Sequence, residues 1–247
     1  MIEIRDLRFA WPGSPAGTLL LDIGTLEVAA GRSVFLHGPS GCGKSTLLAL
    51  LAGVLVARPA PNAGRVALLG QDWAALPAAR RDARRADHVG VIFQQFNLLP
   101  YLSVLGNVLL PARFSPHRAA RCPGGPPAAA RELLERMGLP AAVHDRRALA
   151  LSVGQQQRVA AARALLGAPE LVIADEPTSA LDAARRDDFM TLLLEACAAR
   201  GSTLVFVSHD ERLAGRFDER LSLPALNRAR ADTDATATET ATAGASA

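Results

Sequence analysis

The sequence predicts an α/β fold with a mainly parallel β-sheet, an N-terminal antiparallel β portion and a helical insert. Three observations carry this prediction. Short apolar runs typical of buried strands occur at 33–36, 171–174 and 203–207. The first run leads into a glycine-rich loop and then leucines at helical spacing, while the other two end in polar residues. Residues 1–31 instead alternate strand-like runs with turns.

The composition narrows the possible function classes. The chain has 247 residues, of which 49% are apolar and 21% charged, as is typical of a globular protein. Its longest apolar run, 47–57, is too short for a bilayer, which needs about 20 residues, and the N-terminus lacks a secretory pattern. A net charge of +3 is too small to indicate nucleic-acid binding. Three widely spaced cysteines favour neither a disulfide framework nor a zinc site and fit a reducing cytosol: Cys42, Cys122 and Cys197.

All but one of the 27 basic residues are arginines, and the exception is Lys44. A solvated surface position accepts either residue, whereas a site that needs a compact point charge does not readily accept a planar guanidinium. A single lysine could also survive by chance, so its neighbourhood decides between the two interpretations.

Lys44 lies in a sequence that matches G-x-x-x-x-G-K-[ST], between a strand-like run and a helix-like run. This context predicts a phosphate-binding loop, because glycines let backbone N–H groups approach an anion and a helix N-terminus adds further donors. An unliganded glycine turn is the alternative. We expect Lys44 to reach the β- and γ-phosphates and Ser45 to bind Mg²⁺, with Cys42 a small tolerated residue and not a nucleophile. The predicted loop is Gly38, Pro39, Ser40, Gly41, Cys42, Gly43, Lys44, Ser45 and Thr46.

Two carboxylates follow the apolar run 171–174, namely Asp175 and Glu176. Ligands of α/β sheets bind beyond the carboxyl ends of parallel strands. Asp175 would therefore hold Mg²⁺, and Glu176 would orient and deprotonate an attacking water. A strand end followed by a solvated turn is the alternative. His209 follows the run 203–207 in the same way, which favours a γ-phosphate contact over a structural role.

A second anion-binding helix start is predicted at 151–158, with Ser152 and Gly154 just before the helix. One domain rarely needs two such sites for one nucleotide. Two copies facing each other would explain both, with each helix start capping the γ-phosphate held by the other copy.

These motifs make the chain resemble the nucleotide-binding subunit of ABC transporters over roughly residues 1–225. The Walker A loop matches at 38–46, Walker B at 171–176, the signature helix at 151–155, the D-loop at 179–182 and the Q-loop at Gln94, with Gln95 a near alternative. The family's usual signature is LSGGQ, and Val153 stands at its third position, which puts closure tightness or hydrolysis rate in doubt more than nucleotide binding.

The resemblance implies a P-loop NTPase core of the RecA-like type that binds ATP and Mg²⁺. It implies catalytic roles for Glu176, His209 and Gln94, with Gln94 also a metal ligand beside Asp175 and Ser45. It also implies that the nucleotide held by the second copy is contacted by Ser152, Gly154, Gln155 and Asp182. Trp11 resembles the aromatic residue that stacks on adenine, and Phe9 is the competing aromatic, more typical of a core.

The landmarks predict an ATPase domain over 1–228, a helical signature subdomain at 94–164 within it, and a disordered low-complexity tail at 229–247. A cluster of arginines on a predicted helix is interpreted as a solvated face: Arg80, Arg81, Arg84 and Arg85.

The resemblance also implies partners and a location. These are a second copy of the chain and a separate integral-membrane permease, at the inner, cytoplasmic face of the cell membrane, with no nucleic acid. The apolar segment 96–101 is either core or a groove for the permease. The segment after Gln94 and the short C-terminal end are similar to the lipoprotein-release and macrolide-efflux branch, which favours export or mechanical extrusion. Amino-acid importers, a non-transport ABC ATPase and an ordinary P-loop kinase are the alternatives.

Overall fold

The computed structural model describes residues 1–15, 17–57, 64–179 and 181–230. The predicted tail lies outside these residues from position 231 onward. The strands are β1 (Ile2–Phe9), β2 (Leu21–Val28), β3 (Ser33–His37), β4 (Arg65–Leu68), β5 (Gln71–Asp72), β6 (Val89–Ile92), β7 (Leu171–Asp175), β8 (Thr203–Val207) and β9 (Glu219–Ser222). The α-helices are α1 (Lys44–Leu51), α2 (Ala78–His88), α3 (Val104–Val108), α4 (Leu110–Phe114), α5 (Pro116–Ala120), α6 (Pro126–Arg136), α7 (Val153–Leu165), α8 (Ala183–Ala198) and α9 (Leu223–Leu226).

The described residues fall into two compact units. The small unit is drawn from Met1–Val28, His37–Ala75 and Leu221–Ala247, and the large unit consists of Ala29–Leu36 and Leu76–Arg220. Within the part of the chain that is described, no helix is long and apolar enough to cross a membrane.

The small unit contains an antiparallel sheet in the order β2-β1-β4-β5. Strand β1 alternates buried and exposed residues, as expected of a sheet with one face turned to the core. The predicted N-terminal antiparallel portion is therefore confirmed, but the sheet also takes in residues 65–72, which the sequence analysis had not assigned to it. The reason is the pairing of β1 with β4, a contact between segments about sixty residues apart that no local pattern encodes.

The large unit contains a second sheet in the order β6-β7-β8-β3-β9. Strands β6, β7, β8 and β3 pair in parallel, and β7 and β8 are buried along nearly their whole length. The predicted parallel sheet and its three buried runs are thus confirmed. Continuous burial explains why β7 and β8 are apolar at four of five positions instead of alternating.

The predicted insert at 94–164 contains α3 to α6 and nearly all of α7, while its assignment as a separate subdomain stays a prediction. Small side chains of α7 and residues of α3 and α6 share one apolar core with the parallel sheet. Arg118 is buried beside this core, and its guanidinium donates to the carbonyls of Leu166 (2.7 Å) and Ala164 (2.5 Å). It thereby satisfies carbonyl groups at the end of α7 that have no partner within the helix.

Candidate active site

The predicted phosphate loop in the small unit joins β3 to α1, and its shape depends on glycine. Gly41 and Gly43 have φ angles of 76° and 101°, in the left-handed region that side-chain-bearing residues avoid. A Cβ on Gly43 would also lie 2.8 Å from the side chain of Leu21. The first-turn amides of α1 follow directly, so the loop and the helix start present backbone donors in one contiguous segment.

Lys44 is the first residue of α1 and is only 6% exposed. Its Nζ donates hydrogen bonds to the carbonyl oxygens of Gly38 (2.8 Å) and Pro39 (3.0 Å). The ammonium group therefore links the start of α1 to the first two residues of the loop. A compact ammonium group can donate to both carbonyls at once. Cys42 is buried within the same loop, whereas Ser45 is exposed at the helix start.

Trp11 and Phe9 lie edge to face at the end of β1, with ring centroids 5.4 Å apart. Phe9 is buried in the core, while Trp11 is 47% exposed. Of the two aromatic residues, Trp11 is thus the one exposed enough for stacking, and its adenine contact stays a prediction.

The register of the parallel sheet in the large unit brings the predicted catalytic residues to one edge. Ile92 of β6 pairs with Ala174 of β7, and Asp175 pairs with Val207 of β8. Gln94, Glu176 and His209 each follow one of these strand ends by one or two residues. Four residues from three distant segments therefore meet where three neighbouring parallel strands end: Gln94, Asp175, Glu176 and His209.

Glu176 and His209 are in direct contact at this edge. The Nε2 of His209 lies 2.5 Å from Oε1 of Glu176. The backbone supports the pair, because Glu176 N–H donates to the carbonyl of Val207, and Glu176 has a positive φ of 45°. A non-glycine residue held in that conformation stores strain, which is common at functional sites.

Asp210 adds a carboxylate beside His209 that the sequence analysis missed. Hydrogen bonds from Arg212, with the nearby charge of Arg186, lower the pKa of Asp210 to about 2. Arg186 contacts Asp210 through Nη1 and donates from Nη2 to the carbonyl of Leu181 at 3.3 Å. One guanidinium thus bridges the His209 loop and the D-loop. The only sequence signal was the position of Asp210 next to His209.

The signature helix α7 begins with a complete capping box. The Ser152 hydroxyl accepts from Gln155 N–H at 3.3 Å, and the Gln155 side-chain oxygen accepts from Ser152 N–H at 3.1 Å. The expectation that Gly154 precedes the helix is wrong: α7 starts at Val153, so Gly154 is in its first turn. The N-cap at Ser152 sets the start, because its side chain supplies the first turn's missing acceptor. Val153 is 49% exposed there.

The D-loop lies beside the signature helix. A Cβ built on Gly154 would be 3.9 Å from the side chain of Leu181, an ordinary contact. Asp182 is exposed and caps α8 by accepting from Arg185 N–H at 2.9 Å. Ala180 is outside the described residues.

Gln157 of α7, also missed from the sequence, is buried and donates to the Pro177 carbonyl at 2.8 Å, which links the signature helix to the segment after Glu176.

The Q-loop follows β6, and the segment directly after it is held by Arg163 of α7. Gln94 and Gln95 are both exposed, so exposure does not separate these two alternatives. Arg163 of α7 donates to the carbonyls of Phe96 and Asn97, both of which have positive φ angles. The roles assigned to the site residues stay predictions. Asp175, Ser45 and Gln94 each carry a side-chain oxygen, the kind of ligand that Mg²⁺ prefers.

Comparison with known proteins shows the family. The sequence profile described as ABC transporter matches residues 21–179. The chain is 43% identical over 226 residues to the lipoprotein-releasing system ATP-binding protein LolD of Anaeromyxobacter dehalogenans, covering 90% of each. It is 40% identical over 217 residues to the macrolide export ATP-binding/permease protein MacB of Rhodopseudomonas palustris, covering 87% of this chain and 31% of MacB.

Solved structures agree with the sequence relatives. The ATP-binding cassette MJ0796, in a dimeric post-hydrolysis state bound to ADP and Pi, is 31% identical and superimposes with a TM-score of 0.74, covering 90% of this chain and 94% of that one. The resemblance drawn from the motifs is therefore confirmed, as is the mainly parallel P-loop NTPase fold.

Proposed function

This chain belongs to the ABC transporter family as its ATP-hydrolysing subunit, and from that premise we propose that two copies bind and hydrolyse ATP to drive an export or extrusion permease. The contact between Glu176 and His209 at the ends of neighbouring parallel strands is the observation that carries the catalytic part. An ordinary P-loop kinase is set aside by the family match, which includes the signature helix.

The two units contribute different chemistry to the reaction. The loop amides and Lys44 bind the phosphates, with Lys44 exchanging its bonds to Gly38 and Pro39 for phosphate oxygens. Glu176 orients the attacking water and accepts its proton, while His209 holds the carboxylate and contacts the γ-phosphate. Mg²⁺, when bound, neutralises phosphate charge, with Ser45, Gln94 and Asp175 as the residues to hold it.

The start of α7 supports a contribution from a second copy. Ser152 and Val153 are exposed, and the amides of the first turn lie at the end of a 13-residue helix. Such a terminus attracts anions. We place it against the γ-phosphate of ATP held by the partner copy. MJ0796 itself was solved as a dimer with ADP and Pi.

Trapping the dimer tests this proposal. Glu176→Gln removes the proton acceptor but keeps the shape of the side chain, so ATP should stay bound and hold two copies together. Size-exclusion chromatography should give a dimer with ATP and Mg²⁺ and a monomer with ADP. Glu195→Gln, on the exposed face of α8, is the matched control and should behave as the unaltered chain. A Glu176→Gln chain that stays monomeric with ATP would refute the two-copy mechanism.

A groove in the large unit supports a permease partner. A cavity of about 370 Å³ lies beside the Q-loop, and Phe114 at its rim is 76% exposed. The predicted apolar segment 96–101 is partly core, because Phe96 is buried, while Leu98 and Leu99 are half-buried. The groove is lined by residues that include Asp82, Arg85, Phe93, Asn97, Phe114 and Arg163. Apolar and charged groups together suit an amphipathic cytoplasmic segment of a permease.

We place the chain at the inner face of the cell membrane, held there by this permease. The relatives' names favour lipoprotein release or macrolide export over import. Co-purification with the permease tests both points. Phe114→Asp should abolish it, whereas Val54→Asp, at an exposed apolar site in the small unit, should not. Retention of the permease by the Phe114→Asp chain would contradict the groove assignment, and ATP-dependent uptake by the assembled complex would identify an importer.

A further inference from the structure

Three potential metal ligands from separate segments meet in the large unit. They are His88 at the end of α2, His117 in α5, and Glu170 directly before β7. One ligand atom from each lies within 4.8 Å of the others, and His88 Nδ1 is 2.9 Å from Glu170 Oε2. The two imidazole rings are tilted, with centroids 5.1 Å apart. None of the three residues belongs to the nucleotide machinery described above.

The donor set defines the class of ion. Two imidazole nitrogens and one carboxylate oxygen suit zinc and its neighbours among the divalent transition metals, and three protein ligands leave a fourth position for water. Metal–ligand bonds of about 2.0–2.2 Å separate tetrahedral ligands by roughly 3.4 Å. The His88 and Glu170 atoms, 2.9 Å apart, would therefore move slightly apart, and atoms up to 4.8 Å apart would move together by about 1.4 Å or less. His117 is exposed and can make that adjustment, and it gives the ion access from solvent.

Glu170 is held in place by His88, by Arg121 and by its own backbone. Burial raises the pKa of Glu170, but hydrogen bonds from His88 and Arg121 outweigh this effect, so the pKa lies below its usual value. The Glu170 carbonyl also accepts a hydrogen bond from Thr203 N–H at 2.8 Å, which fixes the backbone beside β8.

Arg121 is the group that now neutralises this cluster. Its Nη1 contacts Glu170 and lies 3.3 Å from Nε2 of His117. The side chain is one-third exposed and lines a cavity of about 220 Å³ that is also lined by Glu132. The Arg121 guanidinium can therefore move away from Glu170 into this cavity, where the carboxylate of Glu132 is nearby.

We propose that His88, His117 and Glu170 form a binding site for a divalent transition-metal ion such as Zn²⁺, which displaces the Arg121 guanidinium. The bound ion ties the end of α2 and helix α5 to the start of β7. Helix α2 also lines the groove assigned above to the permease, through Asp82, Arg85 and Ala86. The site therefore braces one wall of that groove, but its existence does not depend on the transport function.

Zinc titration of the full chain, freed of metal and without nucleotide, tests the proposal by calorimetry and thermal unfolding. One Zn²⁺ should bind per chain, and the melting temperature should rise by roughly 5–10 °C at a free concentration 100-fold above Kd. Co²⁺ in its place should give the absorption bands of a four-coordinate nitrogen and oxygen site. His88→Gln and His117→Gln should each weaken binding by about 100-fold or more, since even an outer-shell partner is worth about 10- to 100-fold.

Two further variants test the role of Arg121 and distinguish this site from another possible zinc site. Arg121→Ala should tighten Zn²⁺ binding, because it removes the competing cation. His209→Gln should leave Zn²⁺ affinity unchanged, because it alters a different close histidine–glutamate pair, His209 with Glu176. Binding that is lost in His209→Gln and kept in His88→Gln would overturn the assignment. The absence of binding at 0.1 mM Zn²⁺, or weaker binding in Arg121→Ala, would overturn it as well.

Discussion

The phosphate loop of the small unit and the carboxylate edge of the large unit differ in how they are built. The loop is one continuous segment whose donors are backbone amides. Its lysine, Lys44, donates to two carbonyls of the same loop, those of Gly38 and Pro39. The carboxylate edge is assembled from three segments, with a separation of 82 residues between Gln94 and Glu176 and of 33 between Glu176 and His209. Their side chains come to one edge only because three strands pair in a fixed register. A local motif therefore determines the first region, whereas tertiary packing determines the second.

This difference predicts how each region fails. In the loop, backbone geometry leaves little freedom, so a change of side-chain shape should be severe even when charge is preserved. At the carboxylate edge, several partners share the task of holding Glu176 and His209. Removing one supporting residue should therefore have a graded effect. Four substitutions test this contrast.

Lys44→Arg should have the largest effect. The guanidinium keeps the positive charge but cannot sit as a point donor against two carbonyls of the loop. We expect turnover to fall by about 100-fold or more, as for loss of one preorganised transition-state donor. ATPase assays with Arg80→Lys, an exchange on the exposed face of α2, provide the control. Near-normal turnover in Lys44→Arg would show that the phosphate loop tolerates a change of side-chain shape, contrary to this prediction.

Gln157→Leu should come next, and it should affect stability. The substitution deletes the buried hydrogen bond to the Pro177 carbonyl and leaves that carbonyl unsatisfied. We expect a loss of about 1–3 kcal/mol in unfolding free energy. Denaturant unfolding measures it, with Gln95→Leu at an exposed position as the control. An unchanged midpoint would show that α7 and the segment after Glu176 are held by packing alone.

Arg186→Ala should lower turnover by about tenfold, equivalent to 1.4 kcal/mol, because it disconnects the D-loop from the loop that carries His209. As a positioning residue, Arg186 should change kcat more than KM, and Arg186→Lys should recover part of the loss. Asp210 should also titrate at a higher pH in Arg186→Ala, since its pKa of about 2 depends in part on this charge. Equal changes in kcat and KM would argue against positioning.

Val153→Gly should have the smallest effect, and in the opposite direction. Val153 has helical backbone geometry and is half exposed, so it fits the monomer without strain. The variant restores the free backbone usual in the family, and turnover should rise by about threefold, or about 0.6 kcal/mol. Val153→Ala is the graded control. A lower turnover would mean that the valine is needed at the dimer surface.

Sequence reasoning predicted the fold, which is confirmed, because buried runs and a glycine-rich loop are local patterns. The roles of the site residues that it named stay predictions. The buried runs became β3, β7 and β8, and the glycine loop became the link between β3 and α1. It missed the pairing of β1 with β4, the bridge through Arg186, and the burial of Gln157. Each of these joins segments whose proximity is set by packing and not by spacing. The start of α7 was misplaced because a capping box, and not the glycine, sets it.

The sequence by itself determined the chemistry of the phosphate loop, down to the single lysine among 27 basic residues. Backbone donors and a contiguous motif need no distant partner, so local residues suffice. Only the tertiary structure decided that Glu176 meets His209, that Phe114 stands at the rim of a groove, and that His88, His117 and Glu170 converge. Those contacts depend on strand register and helix packing, which arise when the whole chain buries its apolar surface.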